Sequence, residues 1–214
     1  MAHAASPVTD PSSLGFAQAA HSIEVYHQAA EGHRADVLIR WGDKVLRDAP
    51  AFDPFNLSAE AQEKQFGYNN DFVAFLPLPR GSKNSTHGLL AVNHEYTNPE
   101  LMFAGLTAND AAGKMTREQA EVELSAHGLS IIEIRKDANG WQVETDGRLN
   151  RRISARTTEM HVAGPAAGHD RLKTKVDPTG TRVIGTLNNC SGGVTPWGTV
   201  LTAEENFNTY FGGD

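Results

Sequence analysis

The chain has 214 residues, of which 39% are hydrophobic, and it carries a formal net charge of -7. This acidic balance argues against a nucleic-acid binder, which needs a basic face, but it permits a phosphate-ester substrate if metal ions supply the positive charge. The sequence has no run of about 18 apolar residues, so it predicts no membrane span, and its single cysteine excludes an internal disulfide.

The N-terminal part of the chain shows few signals of regular structure. Residues 1–15 are rich in Ala, Ser and Pro and are predicted to form a flexible tail, without the apolar region of a signal peptide. Residues 35–43 predict a strand and a turn, and residues 58–63 predict a short helix with Ser58 as its N-cap. We therefore assign the folded part to residues 16–214.

Strands dominate the middle of the chain. Apolar and β-branched runs predict strands at residues 71–78 and 88–95, and residues 100–105 are predicted to form a loop. The strongest helix prediction covers residues 116–126, because Thr116 fits an N-cap and a glutamine follows it three residues later.

More strand signals follow the helix. Residues 128–135 and 141–144 predict a β-hairpin across an Asp-Ala-Asn-Gly turn, and residues 181–187 predict another strand. Because short strands recur and helices are minor, the pattern predicts a mainly β fold and leaves a sandwich, a barrel and a propeller open.

The stretch that is richest in reactive side chains lies near the C-terminus. Residues 188–198 are rich in Gly, Pro and Asn and are predicted to form a tight loop, whereas residues 199–207 predict a strand. The loop carries Cys190, and the strand carries Glu204 and Glu205. A loop held beside a rigid strand is a common support for a functional site.

Taken alone, these residues leave several interpretations open. Cys190 is a buried small side chain, a nucleophile, or a soft ligand for iron or zinc. Adjacent Glu204 and Glu205 point to opposite faces of a strand, so one can enter a site while the other points away, unless a bulge turns both inward; a solvated pair is the simpler interpretation. Glu95 ends a predicted strand and offers oxygen ligands for iron or calcium, whereas His94 is a ligand or a satisfied strand-end histidine.

Several stretches resemble the PhoX-type alkaline phosphatases, many of which are exported bacterial enzymes. The resemblance extends from about Phe66 to the end of the chain. It is carried, in the family's order, by Asn93-His94-Glu95-Tyr96, Gly164-Pro165-Ala166-Ala167-Gly168-His169-Asp170 and Asn188-Asn189-Cys190-Ser191-Gly192-Gly193, the last continuing through Thr195-Pro196-Trp197-Gly198-Thr199 and Thr202-Ala203-Glu204-Glu205-Asn206-Phe207.

This resemblance implies hydrolysis of phosphate monoesters by a β-propeller with short inserted helices. Residues 16–214 are expected to form an incomplete N-terminal portion of that propeller, inactive alone. The resemblance implies iron and calcium as cofactors and four metal ligands: Cys190, Glu95, Glu204 and Glu205. No nucleophile motif or P-loop identifies a catalytic residue. The expected substrates are small-molecule phosphate esters, and the whole protein is expected to be a periplasmic or secreted monomer.

Two other classes of function remain open. A calcium-dependent propeller hydrolase such as a lactonase uses similar carboxylate and Asn ligands without needing a thiol, and a non-catalytic binding module is the third possibility. Metal content separates them: iron with calcium supports the phosphatase, calcium alone supports the lactonase, and no metal supports the binding module.

Overall fold

The computed structural model describes residues 15–109 and 111–211. The predicted flexible tail at residues 1–15 therefore lies almost wholly outside the described residues.

The chain divides into two compact units, residues 1–37 and 38–214. The described part of the first unit contains no helix or strand. Within it, the ring of Phe16 packs edge-on against His33, with the ring centroids 4.6 Å apart.

The second unit is mainly β, with short helices between its strands. Its described helices are α1 Ala59–Gln62, α2 Pro99–Met102, α3 Ala111–Lys114 and α4 Arg117–Ala126. Its described strands are β1 Asn70–Pro77, β2 His87–His94, β3 Gly128–Asp137, β4 Gly140–Val143, β5 Arg151–Ile153, β6 Glu159–His161, β7 Arg182–Ile184, β8 Asn189–Val194 and β9 Val200–Glu204. Short 3-10 turns cover Asp170–Leu172 and Phe207–Tyr210. None of the described helices is long and apolar enough to cross a bilayer.

The strands form one larger sheet and two hairpins, all antiparallel. In the larger sheet β1, β2, β3 and β4 lie side by side in that order, and β5 also pairs with β3. The other strands pair as β6 with β7 and as β8 with β9. Strand β2 is therefore hydrogen-bonded on both edges.

The larger sheet buries apolar side chains on both of its faces. Alternate residues of β3 point to opposite faces, so Ile132 packs with Phe66 and Val92 on one face, while Ile131 packs with Ala91 on the other. A strand that is covered on both faces is apolar at successive positions, which explains why β3 was easy to predict. A further cluster seats α4 through Val122 and Ala126 against Ala59, Met102 and Phe103.

Local capping chemistry confirms both helix starts that the sequence predicted. The Thr116 hydroxyl accepts from the Gln119 amide at 3.2 Å, and the Gln119 side chain accepts from the Thr116 amide at 2.9 Å, which completes a capping box. At α1, the Ser58 hydroxyl accepts from the Ala61 amide at 3.3 Å. These bonds satisfy amides that have no partner within the helix.

Two element predictions in the first half of the second unit were wrong. The strand predicted within residues 35–43 is absent, whereas the turn predicted with it is present and is closed by the Asp43 amide donating to the Arg40 carbonyl at 3.0 Å. The predicted loop at residues 100–105 contains α2, in which Pro99 occupies the first turn with a fixed φ that suits a helix start.

The prediction of a tight loop at residues 188–198 was wrong for its first part and correct for residues 195–198, which form a turn closed by the Gly198 amide donating to the Thr195 carbonyl at 2.9 Å. Strand β8 occupies its first part and carries Cys190. Strand β8 tolerates its glycines because it pairs with β9 alone and is bulged. Position 192 also needs a glycine, because a Cβ atom there would lie only 2.5 Å from the ring of Phe72. The predicted strands at residues 181–187 and 199–207 exist as the shorter β7 and β9.

Candidate metal centre

Three potential ligand groups from distant parts of the sequence meet at one end of the second unit. The ligand atoms of Asp71, Glu95 and Cys190 all lie within 4.8 Å of one another. The Cys190 thiol donates to Oδ2 of Asp71 at 2.9 Å. Asp71 is exposed, and Glu95 and Cys190 are half-buried, so a small ligand can reach the group from solvent.

Two β-bulges bring Asp71 and Cys190 to this cluster. In β1 the register shifts between Asn70 and Val73, and in β8 it shifts between Asn189 and Gly192. Each shift sets two residues of the bulged strand against one residue of its partner, which re-aims a side chain that regular pairing would hold in the pleat.

Glu95 enters the cluster from the end of β2. Its amide donates to the Asn69 carbonyl at 3.0 Å, so the chain stays beside the start of β1 after the last paired residue, His94. Asn69 itself has φ 45°, a left-handed conformation that asparagine tolerates better than most residues. This turn places Asp71 and Glu95 at the same edge of the sheet.

Glu205 lies outside the group whose ligand atoms are all within 4.8 Å of one another, but close enough to act on the pKa values of two of its members. Hydrogen bonds to Asp71 first and then to Glu205, together with burial, raise the pKa of the Cys190 thiol to about 12. Burial, followed by the negative charges of Asp71 and Glu205, raises the pKa of Glu95. The groups thus disfavour each other's charged forms, as expected of a cluster that a cation would stabilise.

Glu204 lies elsewhere. Its Oε1 accepts from the Leu187 amide at 2.8 Å and from the Thr186 hydroxyl at 3.1 Å. Strand alternation therefore separates the two adjacent glutamates, as the sequence allowed. The structure brings together Cys190, Glu95 and Glu205 from the predicted set, and it holds the Glu204 carboxylate against the backbone before β8.

The sequence analysis missed Asp71, although a signal for it exists. Asn69-Asn70-Asp71 and Asn188-Asn189-Cys190 share the pattern Asn-Asn-X, and in both the first Asn is left-handed, with φ 45° and φ 52°. The second Asn is the last paired residue before the bulge in each strand. The repeated tripeptide thus marks both residues that the bulges present.

The histidines near the cluster have structural partners. Nε2 of buried His94 lies 2.6 Å from the Ser130 hydroxyl and 3.3 Å from the Gly67 amide. Nδ1 of buried His127 accepts from the Asn188 amide at 3.4 Å and supports the turn before Cys190. Burial lowers the pKa of His94 well below its usual value and that of His127 to about 4, so both are neutral near pH 7.

His169, in the second family-like stretch, is the N-cap of the 3-10 turn at Asp170–Leu172. Its Nδ1 accepts from the Arg171 amide at 3.2 Å, and the side chain is exposed. The family-like stretch that contains it is therefore organised by a local cap.

Comparisons with known proteins agree with the resemblance in the sequence. A family model described as alkaline phosphatase PhoX matches residues 14–214. A solved structure of Pseudomonas fluorescens PhoX in complex with vanadate, a transition-state analogue, shares 39% sequence identity and a TM-score of 0.76. The similarity covers 86% of this chain and 30% of that one, so the chain spans about a third of the length of this relative. No curated protein gives a significant match. The chain belongs to the PhoX family of alkaline phosphatases.

Proposed function

We propose that this chain supplies part of the metal centre of an alkaline phosphatase that hydrolyses phosphate monoesters. The family consists of metal-dependent phosphatases. The observation that carries the proposal is the cluster of Cys190, Asp71 and Glu95, with Glu205 close enough to raise the pKa values of Cys190 and Glu95, because a bound cation would offset the charge of these groups.

The chemistry of the donor set favours iron together with calcium. A thiolate is a soft ligand that suits iron or zinc rather than calcium, whereas carboxylate oxygens suit both iron and calcium. We therefore propose that Cys190 and neighbouring carboxylates hold iron, and that oxygen ligands of the same region contribute to calcium binding. Glu204 was predicted as a further ligand, and its bonds to Thr186 and Leu187 favour a supporting role instead.

Metal ions bound here would supply positive charge for the phosphoryl oxygens and lower the pKa of an oxygen nucleophile. The chain's own side chains have a different part. They form a negative cluster that would repel a phosphate ester when it is empty of cations, so the protein is expected to bind substrate only after metal. The exposed side of Asp71 leaves the cluster open to a small phosphate ester.

Several finer features of the whole protein are also proposals. We propose a β-propeller with short inserted helices, to which the sheets of residues 38–214 contribute. The 39% sequence identity to a PhoX structure, over 86% of this chain, supports that architecture. By the same family resemblance we propose small-molecule phosphate esters as substrates, a monomeric state and a periplasmic or secreted location.

Metal analysis and a phosphate-release assay on the full-length protein test the proposed function. The protein, expressed with iron and calcium, is expected to contain both metals and to release phosphate from p-nitrophenyl phosphate at alkaline pH. A calcium chelator is expected to abolish this activity, and added calcium to restore it. A lactone substrate serves as control. Calcium without iron, together with lactone cleavage, would assign the protein to the lactonase class instead.

A further inference from the structure

Asn93 on β2 is a fully buried polar residue whose side chain contacts the bulge of β8 and whose backbone lies opposite the bulge of β1. Its Nδ2 donates to the carbonyl of Cys190 at 2.8 Å and to the carbonyl of Ser191 at 3.1 Å. Its Oδ1 accepts from the Thr202 hydroxyl on β9 at 3.0 Å. The amide therefore makes three hydrogen bonds to the hairpin that carries the thiol.

The two carbonyls that accept hydrogen bonds from Asn93 lie in the bulge of β8. Register there passes from Asn189 paired with Glu204 to Gly192 paired with Thr202, so Cys190 and Ser191 fall outside the regular ladder. Bulged residues lose ladder partners, and polar backbone groups that are removed from water need replacements. The Asn93 amide supplies those replacements from a different sheet.

The backbone of Asn93 is tied to the other bulge. In β1 the register passes from Asn70 paired with His94 to Val73 paired with Val92, which sets Asp71 and Phe72 opposite Asn93. The other edge of β2 pairs with β3, where Asn93 stands opposite Leu129. The residue is thus fixed by the centre of the larger sheet, two positions before Glu95.

We propose that Asn93 is a positioning residue that holds the Cys190 bulge against β2 and so sets the separation between the Cys190 thiol and the Glu95 and Asp71 carboxylates. Its relevance to catalysis rests on the proposed function, whereas its hold on the bulge does not. Asn93 does not itself contact a reacting group. It acts through the two backbone carbonyls of residues 190 and 191.

Asn150 provides a matched control. Its Nδ2 also donates to two carbonyls, those of Val45 at 3.0 Å and Glu144 at 2.8 Å, and its Oδ1 accepts from the Glu133 amide at 2.7 Å. The same chemical change, Asn→Asp, replaces a two-carbonyl donor by an oxygen at either site. Only Asn93→Asp disturbs the bulge that carries the thiol.

The first measurement is hydrogen exchange of residues 189–192 in the metal-free full-length protein. Exchange in this segment is expected to be at least about tenfold faster in Asn93→Asp than in wild type, because loss of local hydrogen bonds lowers the cost of opening. Asn150→Asp is expected to leave it unchanged. Thr202→Val removes the hydroxyl that donates to Asn93 Oδ1 and also accepts from Asn189 Nδ2 at 2.8 Å, so Asn189→Ala, which removes the second bond alone, is its control. Thr202→Val is expected to give a smaller increase than Asn93→Asp but a larger one than Asn189→Ala, and it serves if Asn93→Asp does not fold.

The second measurement is iron affinity together with the thiolate-to-iron absorption band. Residues that orient a ligand typically change metal affinity by about 10- to 100-fold, so Asn93→Asp is expected to lose about that much affinity and to shift or weaken the band. Asn150→Asp is expected to keep both. Thr202→Val is expected to weaken the band as well. Recovery of the band in Thr202→Ser, which keeps the hydroxyl, would show that orientation of the Asn93 amide, and not the bulk of residue 202, causes the change.

Each other outcome has a defined meaning. Unchanged exchange in Asn93→Asp and Thr202→Val overturns the proposal, and so does equal acceleration in Asn93→Asp and Asn150→Asp, which would show general loosening. Faster exchange in Asn93→Asp with wild-type iron affinity overturns the link between the bulge and the thiol ligand. A wild-type protein that binds no iron contradicts the proposed function, while exchange still decides whether Asn93 holds the bulge.

Discussion

The hairpin β1–β2 and the hairpin β8–β9 contain the same backbone arrangement. Each begins with two asparagines, the first left-handed, and each then bulges at the next residue, which is Asp71 in one and Cys190 in the other. In each, a glutamate directly follows the second strand. The Glu95 amide donates to Asn69 at 3.0 Å, and the Glu205 amide donates to Asn188 at 2.9 Å.

This correspondence explains which polar residues reach the cluster. Asp71 matches Cys190 and Glu95 matches Glu205; the ligand atoms of Asp71, Glu95 and Cys190 meet, and Glu205 acts on the pKa values of Cys190 and Glu95. His94 matches Glu204, since each is the last paired residue of its strand, and each is turned away: His94 toward Ser130, and Glu204 toward Thr186. In each hairpin the bulge therefore supplies one polar side chain to the cluster region and the strand end supplies another. The residue before the terminal glutamate makes a structural hydrogen bond instead.

The two hairpins differ in how firmly they are held. Strand β2 is paired on both edges and buried, whereas β8 and β9 pair only with each other and are largely exposed. Asn93 stands where the second hairpin has Ala203, opposite the bulge in each case. The Asn93 side chain of the β1–β2 hairpin therefore hydrogen-bonds to the β8–β9 hairpin. In our proposal these bonds set the position of the Cys190 thiol.

The largest expected effect concerns the support of the β1–β2 hairpin. Arg152 is half-buried, and its guanidinium donates to the carbonyls of Ser125, His127 and Leu129 at 2.7, 3.0 and 2.9 Å. Burial lowers the pKa of this guanidinium to about 10, so it remains charged at pH 7. Arg152→Met would leave these carbonyls without their donor, and the free energy of unfolding is expected to fall by about 3 to 5 kcal/mol.

Urea denaturation of the metal-free protein measures this change. Arg117→Met is the matched control, because Arg117 makes an exposed ion pair with Glu121 on α4, and its loss is expected to have no resolvable effect. Equal stability of the two variants would show that the buried network around Arg152 does not hold the first hairpin.

The next effect separates the two bulge residues by ligand chemistry. Cys190→Ser removes the soft ligand, so iron content and phosphatase activity are expected to fall together by at least about 100-fold. Cys190→Asp gives the second hairpin the residue that the first already has. It is expected to bind a divalent cation without the thiolate-to-iron band. Metal analysis and absorption spectra test both variants, and unchanged iron content in Cys190→Ser would contradict the assignment of the thiol as a ligand.

The adjacent glutamates give a smaller and more selective effect. Glu205→Gln removes a charge beside the cluster, so iron affinity is expected to drop by about tenfold, with the stability of the metal-free protein kept or raised. Glu204→Gln weakens a charged acceptor for the Leu187 amide, so stability is expected to drop by about 1 kcal/mol, with iron affinity nearly kept. Parallel metal titrations and urea curves compare them. Loss of iron affinity in Glu204→Gln, together with loss of stability in Glu205→Gln, would refute the correspondence of the hairpins.

Much of the sheet could be predicted from the sequence, because β1, β2 and β3 contain long apolar runs, which β2 and β3 bury, and Thr116 marks the start of α4 with a cap. The loop predicted around Cys190 failed for a physical reason. Its glycines were interpreted as turn formers, whereas Gly192 makes room for the Phe72 ring, and that contact depends on residues more than a hundred positions away.

The candidate site was predictable in part. Glu95, Glu205 and Cys190 could be proposed from the family motif, but composition gives no sign of where a bulge turns a side chain, so Glu204 and Glu205 could not be told apart. Asp71 was hidden inside a strand prediction, although Asn69-Asn70-Asp71 repeats the pattern before Cys190. Comparing the two tripeptides would have found it.

The smallest predicted effect is the pH dependence that Glu95 gives the metal-free protein. Its pKa is raised above the usual 4.5 in the folded state, first by burial and then by Asp71 and Glu205. Ionised Glu95 therefore costs stability above its folded pKa, and this cost is relieved as the pH falls through that value toward 4.5. Buried His94 and His127, whose pKa values are lowered, act in the opposite direction, because their neutral forms lose stability below about pH 6.5.

Only the difference between two proteins isolates the Glu95 contribution. Glu95→Gln keeps the histidine effect and removes the carboxyl, so the metal-free variant is expected to exceed wild type in stability at pH 7 by less than about 1 kcal/mol, as is usual for partly exposed charges. The advantage should shrink between pH 7 and pH 4.5 as Glu95 of the wild type takes up its proton. Urea midpoints across this range measure it. Added iron should reverse the order at pH 7, because the cation then favours the ionised carboxylate that the variant lacks. A variant that is less stable than wild type at pH 7 without metal would show that the cluster is not repulsive, and that its groups do not require a cation to offset their charge.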